Sequence, residues 1–321
     1  MPSQQILALS SPQYSLELAG KLPEKIRLGG SSWTYPGWKG LVYFADYSSE
    51  RSFKHRSLAE YVRFPWFRTV GLDSAFYLPP PVKRLREYAS QVPESFQWVS
   101  KVWERITVPR FPGLPRYGKW AGRENPDFLN ADLFAVRVLE PYVESDLQHH
   151  CGPLVFQFPT IAPAVLEGVR FLEKLDAFLT KLPAGFRYAV ELRNPEWLTQ
   201  PYFDLLNRQR TAHCFNHWSG MPSLREQMQL AAAAGGLQAQ FFVARLLTPL
   251  GVDYAAAVER FQPYDRIKEP NAEARSDAVR LARRALERNI DAFIVVNNRL
   301  EGHSPGTVAA IGAMLVNSAV L

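Results

Sequence analysis

The sequence predicts an α/β fold, a single (β/α)8 barrel of TIM type, and three observations support this prediction. Eight short apolar segments alternate with helical segments, an order typical of parallel strands joined by helical crossovers. The length of 321 residues suits one such barrel with insertions. The sequence contains neither a Gly-x-Gly-x-x-Gly motif after the first strand nor a Walker motif, so it does not favour a nucleotide-binding sheet.

The predicted elements follow an N-terminal extension at residues 1–25, and residues 26–321 form the barrel domain. Residues 103–130, rich in Pro, Gly, Arg and Trp, form a long insertion after the third strand. The strands are predicted at residues 26–30, 69–76, 96–101, 153–158, 187–193, 211–216, 240–246 and 291–297. The helices are predicted at residues 58–64, 79–91, 131–143, 164–182, 201–209, 221–234, 254–261, 272–288 and 306–317.

The composition limits the classes of function. The net charge of +6 and the pI of about 9.3 permit anionic partners without requiring nucleic acid. Cys151 and Cys214 form no Cys-x-x-Cys motif and predict two buried thiols in a reducing compartment. The sequence shows no signal-peptide pattern and no apolar stretch of membrane-spanning length, so we expect a cytoplasmic protein without a membrane partner.

The segment at residues 187–197, RYAVELRNPEW, is the most informative stretch for function. Because side chains alternate between the two faces of a strand, Glu191 and Arg193 share one face, and the opposite face is apolar. Asn194-Pro195 then ends the strand. Charge at the inner end of a strand is typical of a barrel mouth. For one such strand alone, however, a structural ion pair is the favoured interpretation.

Other predicted strands end in the same way. In a closed barrel the carboxyl ends of all strands meet at one mouth, where ligands bind. Six strands with polar inner-face ends therefore favour a ligand site over a structural polar layer. The residues concerned are Asp73, Lys101, Gln157, Glu191, Arg193, Arg245, Asn297 and Asn298.

Two loops add candidate ligand contacts. The glycine-rich loop at residues 29–40 carries Trp33, Tyr35 and Trp38, and we expect these rings to line a pocket rather than to pack on one another. The insertion forms either a basic rim or an ordinary solvated loop. Its basic residues are Arg105, Arg110, Arg116, Lys119 and Arg123.

Several segments match, in order and spacing, the motifs of one known family. They are GGSSWTYPGWKG at residues 29–40, TVGLDSAFY at 69–77, the strand ending in Lys101 with Ile106-Thr107, GPLVFQFP at 152–159, AVELRNPEW at 189–197, VARL at 243–246 and VVNNRLEG at 295–302. From about Ile26 to Leu315 the chain thus resembles domain of unknown function 72, the YecE-like proteins. The resemblance implies a TIM-type barrel but no reaction, because the activity of that family is not established. Seven residues fall on its motif positions: Trp33, Lys101, Gln157, Glu191, Arg193, Arg245 and Asn297.

The chain departs from the pattern of this family at five positions, one of which is Thr248, where the Arg-x-His-Gly motif of the family carries Gly. Gly71 and Asp73 stand in the second strand where the resemblance implies Glu and Asn. Val108 and Leu247 stand where the family motifs carry His. Chemistry that depends on those Glu and His groups therefore does not transfer directly to this chain, although Asp73 supplies a carboxylate further along the same face.

The first functional hypothesis is an enzyme that acts on a small anionic or sugar-like substrate. The expected catalytic residues are Glu191, Asp73 and Lys101. The expected substrate-binding residues are Trp33, Tyr35, Gln157, Arg193, Arg245, Asn297 and Asn298. Because Lys and Arg flank Glu191, we expect its pKa to be lowered, which suits a base or a group that orients Arg193.

The second hypothesis is a non-catalytic protein that binds a phosphate-bearing ligand or single-stranded nucleic acid through Trp33, Lys101 and the basic insertion. Nucleic acid is the less favoured of these partners. No cofactor is expected under either hypothesis. No metal is expected either, because His213 and His217 lie on a strand and its loop, where their spacing does not converge on one ion.

Overall fold

Eight parallel strands close into a barrel in chain order, and β1 pairs with β8 to complete the ring. The computed structural model describes residues 14–317, so part of the predicted N-terminal extension, residues 1–13, lies outside the described residues, as do residues 318–321. The predicted (β/α)8 fold is confirmed. The strands are β1 Ile26–Gly30, β2 Thr69–Leu72, β3 Trp98–Lys101, β4 Cys151–Gln157, β5 Arg187–Glu191, β6 Ala212–His217, β7 Phe241–Leu246 and β8 Asp291–Val296.

Helices surround this ring. They are α1 Leu16–Gly20, α2 Glu50–Arg56, α3 Leu58–Tyr61, α4 Val82–Ala89, α5 Glu104–Thr107, α6 Ala131–Phe134, α7 Glu140–Ser145, α8 Gly168–Thr180, α9 Gln200–Arg208, α10 Leu224–Ala233, α11 Tyr254–Phe261, α12 Ala272–Glu287 and α13 Ser304–Asn317. A π-helical segment, Ala135–Leu139, joins α6 to α7 without a break, so residues 131–145 form one helix. Ser223 and Glu226 form a capping box that starts α10 three residues later than predicted.

Several predicted elements, including the second strand and the fourth helix, are shorter than expected. The second strand ends at Leu72, and Asp73–Phe76 forms a 3-10 turn instead of continuing the strand. The helix predicted at residues 164–182 begins only at Gly168, because Val165 and Leu166 first turn back on the carbonyl of Ala162. The helix α2 was not predicted from the sequence at all.

The core has two layers. A small apolar cluster fills the barrel interior, and a larger one lies between the strands and the helices. The interior cluster comprises Val99, Val155, Ala189, Ala212, Cys214, Ala239, Phe241, Val243, Phe293 and Val295. These side chains alternate along their strands with the outward-facing ones, as the period of two requires. They form an apolar floor, so a polar group one pleat further along a strand lies at the mouth.

Candidate functional site

The centre of the mouth is Arg245, the last inward-facing residue of β7. Its Nη1 donates to Glu191 Oε2 at 2.5 Å, and its Nη2 donates to Asp73 Oδ1 at 2.8 Å. These contacts join three strand ends that lie 54 and 172 residues apart in the chain. Asp73 belongs to the turn after β2 rather than to the strand, yet its carboxylate still reaches the mouth.

Glu191 is enclosed from two sides. Arg193 Nη2 lies 2.6 Å from Glu191 Oε1, while Arg245 occupies Oε2. The side chain of Glu191 is fully buried. The guanidinium of Arg193 also stacks on Trp218, with its Cζ 4.0 Å from the ring centroid. A charged chain of Asp73, Arg245, Glu191 and Arg193 therefore runs across one side of the mouth.

Burial and charge act in opposite directions on this chain. Burial alone would raise the pKa of Glu191, but the neighbouring guanidiniums of Arg245 and Arg193 outweigh it and lower that pKa. Burial would lower the pKa of Arg245, but Asp73 and Glu191 reverse the effect and raise it. Glu191 is therefore a carboxylate in the folded protein, and its oxygens are occupied by cations.

Lys101 differs from the two arginines. Burial, reinforced by the charge of Arg245, lowers the pKa of its amine from 10.5 to about 8. Its Nζ lies 3.8 Å from the centroid of the Phe76 ring. No carboxylate oxygen of residues 14–317 comes within 4.0 Å of it, and its side chain is only partly buried. Lys101 is thus a mouth cation without a carboxylate partner in the described chain.

Three further polar groups at the mouth have unused hydrogen-bonding capacity within the described residues. Arg193 has no partner for Nε or Nη1, although the residue is only 8% exposed. Asn216 donates to the carbonyl of Leu192, but its own buried Oδ1 accepts nothing. Gln157 follows Val155 on the inner face of β4 and is partly exposed. Buried polar groups without partners are destabilising, so the free atoms of Arg193 and Asn216 indicate where a ligand or ordered water belongs.

Tyr35 and Asn297 close the side of the mouth near β1. The Asn297 amide donates to Ser31 Oγ and accepts from the backbone of Arg299, so both ends of this amide are occupied. Tyr35 contacts the ring of Tyr264 at 5.8 Å between centroids and is partly exposed. Burial raises the pKa of Tyr35, so its hydroxyl remains protonated at neutral pH.

Two predicted site residues lie elsewhere. Trp33 is 4% exposed and packs edge-on against Tyr88 in the layer between barrel and helices, so it does not line the mouth. Asn298 is fully buried on the opposite side of the β8 end, where its Oδ1 accepts from Trp38 Nε1 and from the backbone of Ser304. The expectation that the loop at residues 29–40 presents its tryptophans to a ligand was wrong. Burial of the large rings of Trp33 and Trp38 in the core stabilises the folded protein more than their exposure to solvent would.

Sequence reasoning also missed residues that the mouth contains. Asn216 follows Ala212 and Cys214 on the inner face of β6, so the period of two could have identified it. Phe76 could not have been identified in this way, because it lies in a turn that the sequence predicted as a strand. Trp218 lies just after β6, and no spacing rule indicates its contact with Arg193.

Comparison with known proteins agrees with this architecture. The chain matches the family described as "Protein of unknown function DUF72" over residues 27–320. The chain belongs to the DUF72 family. Among curated relatives, the UPF0759 protein YunF of Bacillus subtilis is 26% identical over 138 residues, and the match spans only 43% of each chain.

Two solved DUF72 structures share the fold. A DUF72 family protein of Thermotoga maritima aligns with a TM-score of 0.55 and 16% identity, covering 92% of this chain and 98% of that one. A DUF72 family protein of Enterococcus faecalis aligns with a TM-score of 0.57 and 18% identity, covering 92% and 95%. At these identities the likeness shows the fold alone.

Within this DUF72 chain, the positions that depart from the family motifs have local structural reasons. A Cβ added at Gly71 would lie 2.6 Å from the backbone oxygen of Ser31, so no larger residue fits without movement of the β1 end. Val108 and Leu247 are buried apolar residues, 4% and 5% exposed. The carboxylate of this part of the mouth comes from Asp73 instead.

Within residues 14–317, no group of three or more His, Cys, Asp or Glu side chains is placed to hold a metal ion. None of the helices described in that range is long and apolar enough to cross a membrane. His213 lies outside the barrel, bonded to Tyr202 and Gln227, and His217 bonds to the carbonyl of Thr248, so the two rings serve different contacts.

Proposed function

We propose that this DUF72 protein is an enzyme that acts on a small substrate with an anionic group. In this proposal the amine of Lys101 takes a proton from the substrate and returns it within one turnover. The observation that carries the proposal is the position of the Lys101 amine. It lies at the mouth, partly exposed, with no described carboxylate within ion-pair distance. A lysine held there for structure alone would normally be paired.

The acid–base properties of Lys101 suit this role. An amine with a pKa of about 8 is present in both protonation states near neutral pH, so it can take a proton and return it within one turnover. The Phe76 ring beside it limits access of water on one side. Asp73, whose side chain is 31% exposed, is the second candidate for proton transfer.

Arg193 is the group that we assign to the substrate anion. Its Nε and Nη1 have no hydrogen-bond partner and offer two separate donors, each able to form a charge-assisted hydrogen bond with a carboxylate or phosphate oxygen. The amides of Gln157 and Asn216 are available for the hydroxyl groups of a sugar-like substrate. Of the two roles expected for Glu191, a base or a group that orients Arg193, the second is supported by the two arginines at its oxygens. We assign it as a positioning residue for Arg193 and Arg245.

The test is a screen of purified wild-type protein against small carboxylated and phosphorylated metabolites, with binding and turnover both followed by NMR. For a compound that is turned over, Lys101→Met should abolish turnover and retain binding. Arg193→Met should weaken binding by about 10- to 100-fold, the value of a hydrogen bond to a charged group. Lys119→Met, in the insertion, is the matched control and should change neither. Unchanged turnover in Lys101→Met would refute the assignment of the proton transfer.

A second candidate function is binding without catalysis. It is favoured by the state of Glu191, since this fully buried carboxylate of the described mouth has an arginine within ion-pair distance of each oxygen. Anion binding by wild-type protein without conversion of any screened compound would support this candidate. Single-stranded nucleic acid is disfavoured as its ligand, because Trp33, the ring required for stacking, is buried.

A further inference from the structure

A second cationic region lies on the outside of the barrel, away from the mouth. A groove of about 1630 Å³ lies between α10 and α12, near the start of β7. Six arginines and a single carboxylate, Glu287, line it. The arginines are Arg210, Arg225, Arg280, Arg283, Arg284 and Arg288.

The charge of this groove is only partly neutralised by the chain itself. Arg225 pairs with the buried Asp277, and Arg284 pairs with Glu287. Arg210, Arg280 and Arg283 are exposed, and none has an ion-pair partner in the described chain. Clustered cations repel one another, so the groove stores unfavourable energy that an anionic partner would relieve.

The size and lining of the groove limit what can occupy it. Small-molecule pockets usually enclose about 300–1,000 Å³, so this groove is too large for a metabolite. Met228, Leu237 and Met314 line it together with the arginines. Protein surfaces that bind nucleic acid are more polar than the lining of this groove. A groove that binds an amphipathic helix, in contrast, makes apolar and charged contacts together. Methionines adapt their shape to such a helix.

The arginines of α12 are spaced as a helical partner would require. Arg280 and Arg284 lie within α12 and Arg288 caps its C-terminus, so the three stand at i, i+4 and i+8 and their Cα atoms rise by about 6 Å at each step. An acidic helix that meets them needs carboxylates at intervals of four residues. The groove therefore predicts a specific pattern in its partner.

The same chain carries such a pattern on its outer surface. In the helix of residues 131–145, Asp132, Glu140 and Glu144 are exposed at i, i+8 and i+12, and none has an ion-pair partner in the described chain. Val136 and Val143 are 56% and 54% exposed on this face. We call these five residues the acidic stripe. Arg137, at its edge, is directed to the ring of Trp103.

We propose that the acidic stripe of one copy of this protein docks in the arginine groove of a second copy. The stripe follows β3 and the groove lies outside β6 and β7, so a copy cannot fill its own groove. The contact is head-to-tail and leaves one stripe and one groove free, which leads to rings or chains. Carboxylates of the stripe pair with Arg280, which has no ion-pair partner in the described chain, and replace Glu287 as the partner of Arg284, while the two valines contact the methionines.

The test measures the mass of the full-length protein by light scattering and sedimentation over a range of concentrations. In low salt the mass should rise above the 36.5 kDa of one chain, and in about 500 mM salt it should return toward that value. The groove variant Arg280→Glu/Arg284→Glu and the stripe variant Glu140→Lys/Glu144→Lys should each weaken association at least 10-fold. Because these positions are exposed, both variants should keep the far-UV spectrum of the wild type.

The decisive arm combines all four substitutions in one chain, which exchanges the charges of the two surfaces. This chain should associate again. Arg56→Glu/Arg63→Glu reverses two exposed arginines elsewhere and should associate as the wild type does. A wild type that stays at 36.5 kDa in low salt overturns the proposal, even if it binds acidic peptides from another source. Association that persists in the groove variant, or that the exchange does not restore, overturns it as well.

Discussion

The barrel mouth and the insertion at residues 103–130 both carry several Lys and Arg residues, but the ion pairs of the two regions differ in burial. At the mouth, Arg193, Arg245 and Glu191 are each at most 8% exposed and share their charges in one chain of contacts. In the insertion, the ion pairs are separate and reach solvent. They are Arg105–Asp127, Arg110–Glu124 and Arg116–Glu104.

Access of solvent decides how much an ion pair contributes to stability in each of the two regions. Water and salt screen an exposed ion pair, so it contributes about 0–1 kcal/mol. In a buried network, removal of one partner leaves a charge that water cannot reach, which costs about 3–5 kcal/mol. The same residue types therefore make the insertion tolerant of substitution and the mouth intolerant of it. This contrast predicts that substitutions at the mouth change stability most and that those in the insertion change it least.

Substitution of Glu191 by Gln should lower the free energy of unfolding by about 3–5 kcal/mol, because Arg193 and Arg245 lose their shared carboxylate inside the protein. Urea unfolding of wild type and variant measures this difference. Asp176→Asn is the matched control, since it removes one carboxylate from the exposed pair with Arg208 and should cost less than about 1 kcal/mol. A loss for Glu191→Gln as small as that of the control would mean that water enters the mouth and solvates both arginines.

Substitution of Lys101 by Met should have an effect that depends on pH. The pKa of Lys101 falls from 10.5 to about 8 on folding, so between these values the unfolded chain binds more protons than the folded one. The penalty for charged Lys101 is therefore complete below pH 8 and fades as the pH rises to 10.5. We expect Lys101→Met to melt roughly 2–4 °C above wild type at pH 7. The gain should shrink toward zero by pH 10, as calorimetry in matched buffers will show, and a gain independent of pH would contradict the lowered pKa.

Substitution of Arg110 by Ala in the insertion should have the smallest effect. Glu124, its partner, is 85% exposed and remains solvated when the pair is lost. We expect a change of less than about 0.5 kcal/mol in the free energy of unfolding, within the range of ordinary surface substitutions. Thermal melts in low and high salt should give the same difference from wild type. A large destabilisation would show that the insertion, like the mouth, depends on its charges.

How far the sequence predicted the mouth depends on the kind of residue. The period of two along a strand placed Lys101, Gln157, Glu191 and Arg245 on the inner face, and the structure has them there. That rule requires no knowledge of the partner strand. It fails beyond the end of a strand, where Asp73 turns through a 3-10 segment and Asn298 faces away from the mouth.

Loop aromatics were predicted least well. Trp33 and Trp38 lie in a glycine-rich loop that suggested exposed rings, but the chain folds back and buries both. Whether a loop ring faces solvent or core depends on the packing of distant elements, here α4 and β8, and local sequence does not encode it. The pairing of Arg245 with Glu191 and Asp73 was likewise not predictable, since it depends on the order in which the strands close.

The pairing of β1 with β8 has a consequence for the synthesis of this protein. Residues 26–30 are translated long before their register partners at residues 292–296. Until β8 is made, one edge of β1 therefore lacks its strand neighbour, and Ser31 lacks its hydrogen bond from Asn297. The growing chain needs protection against aggregation at that edge, by the ribosome surface or by a chaperone, until the final strand arrives.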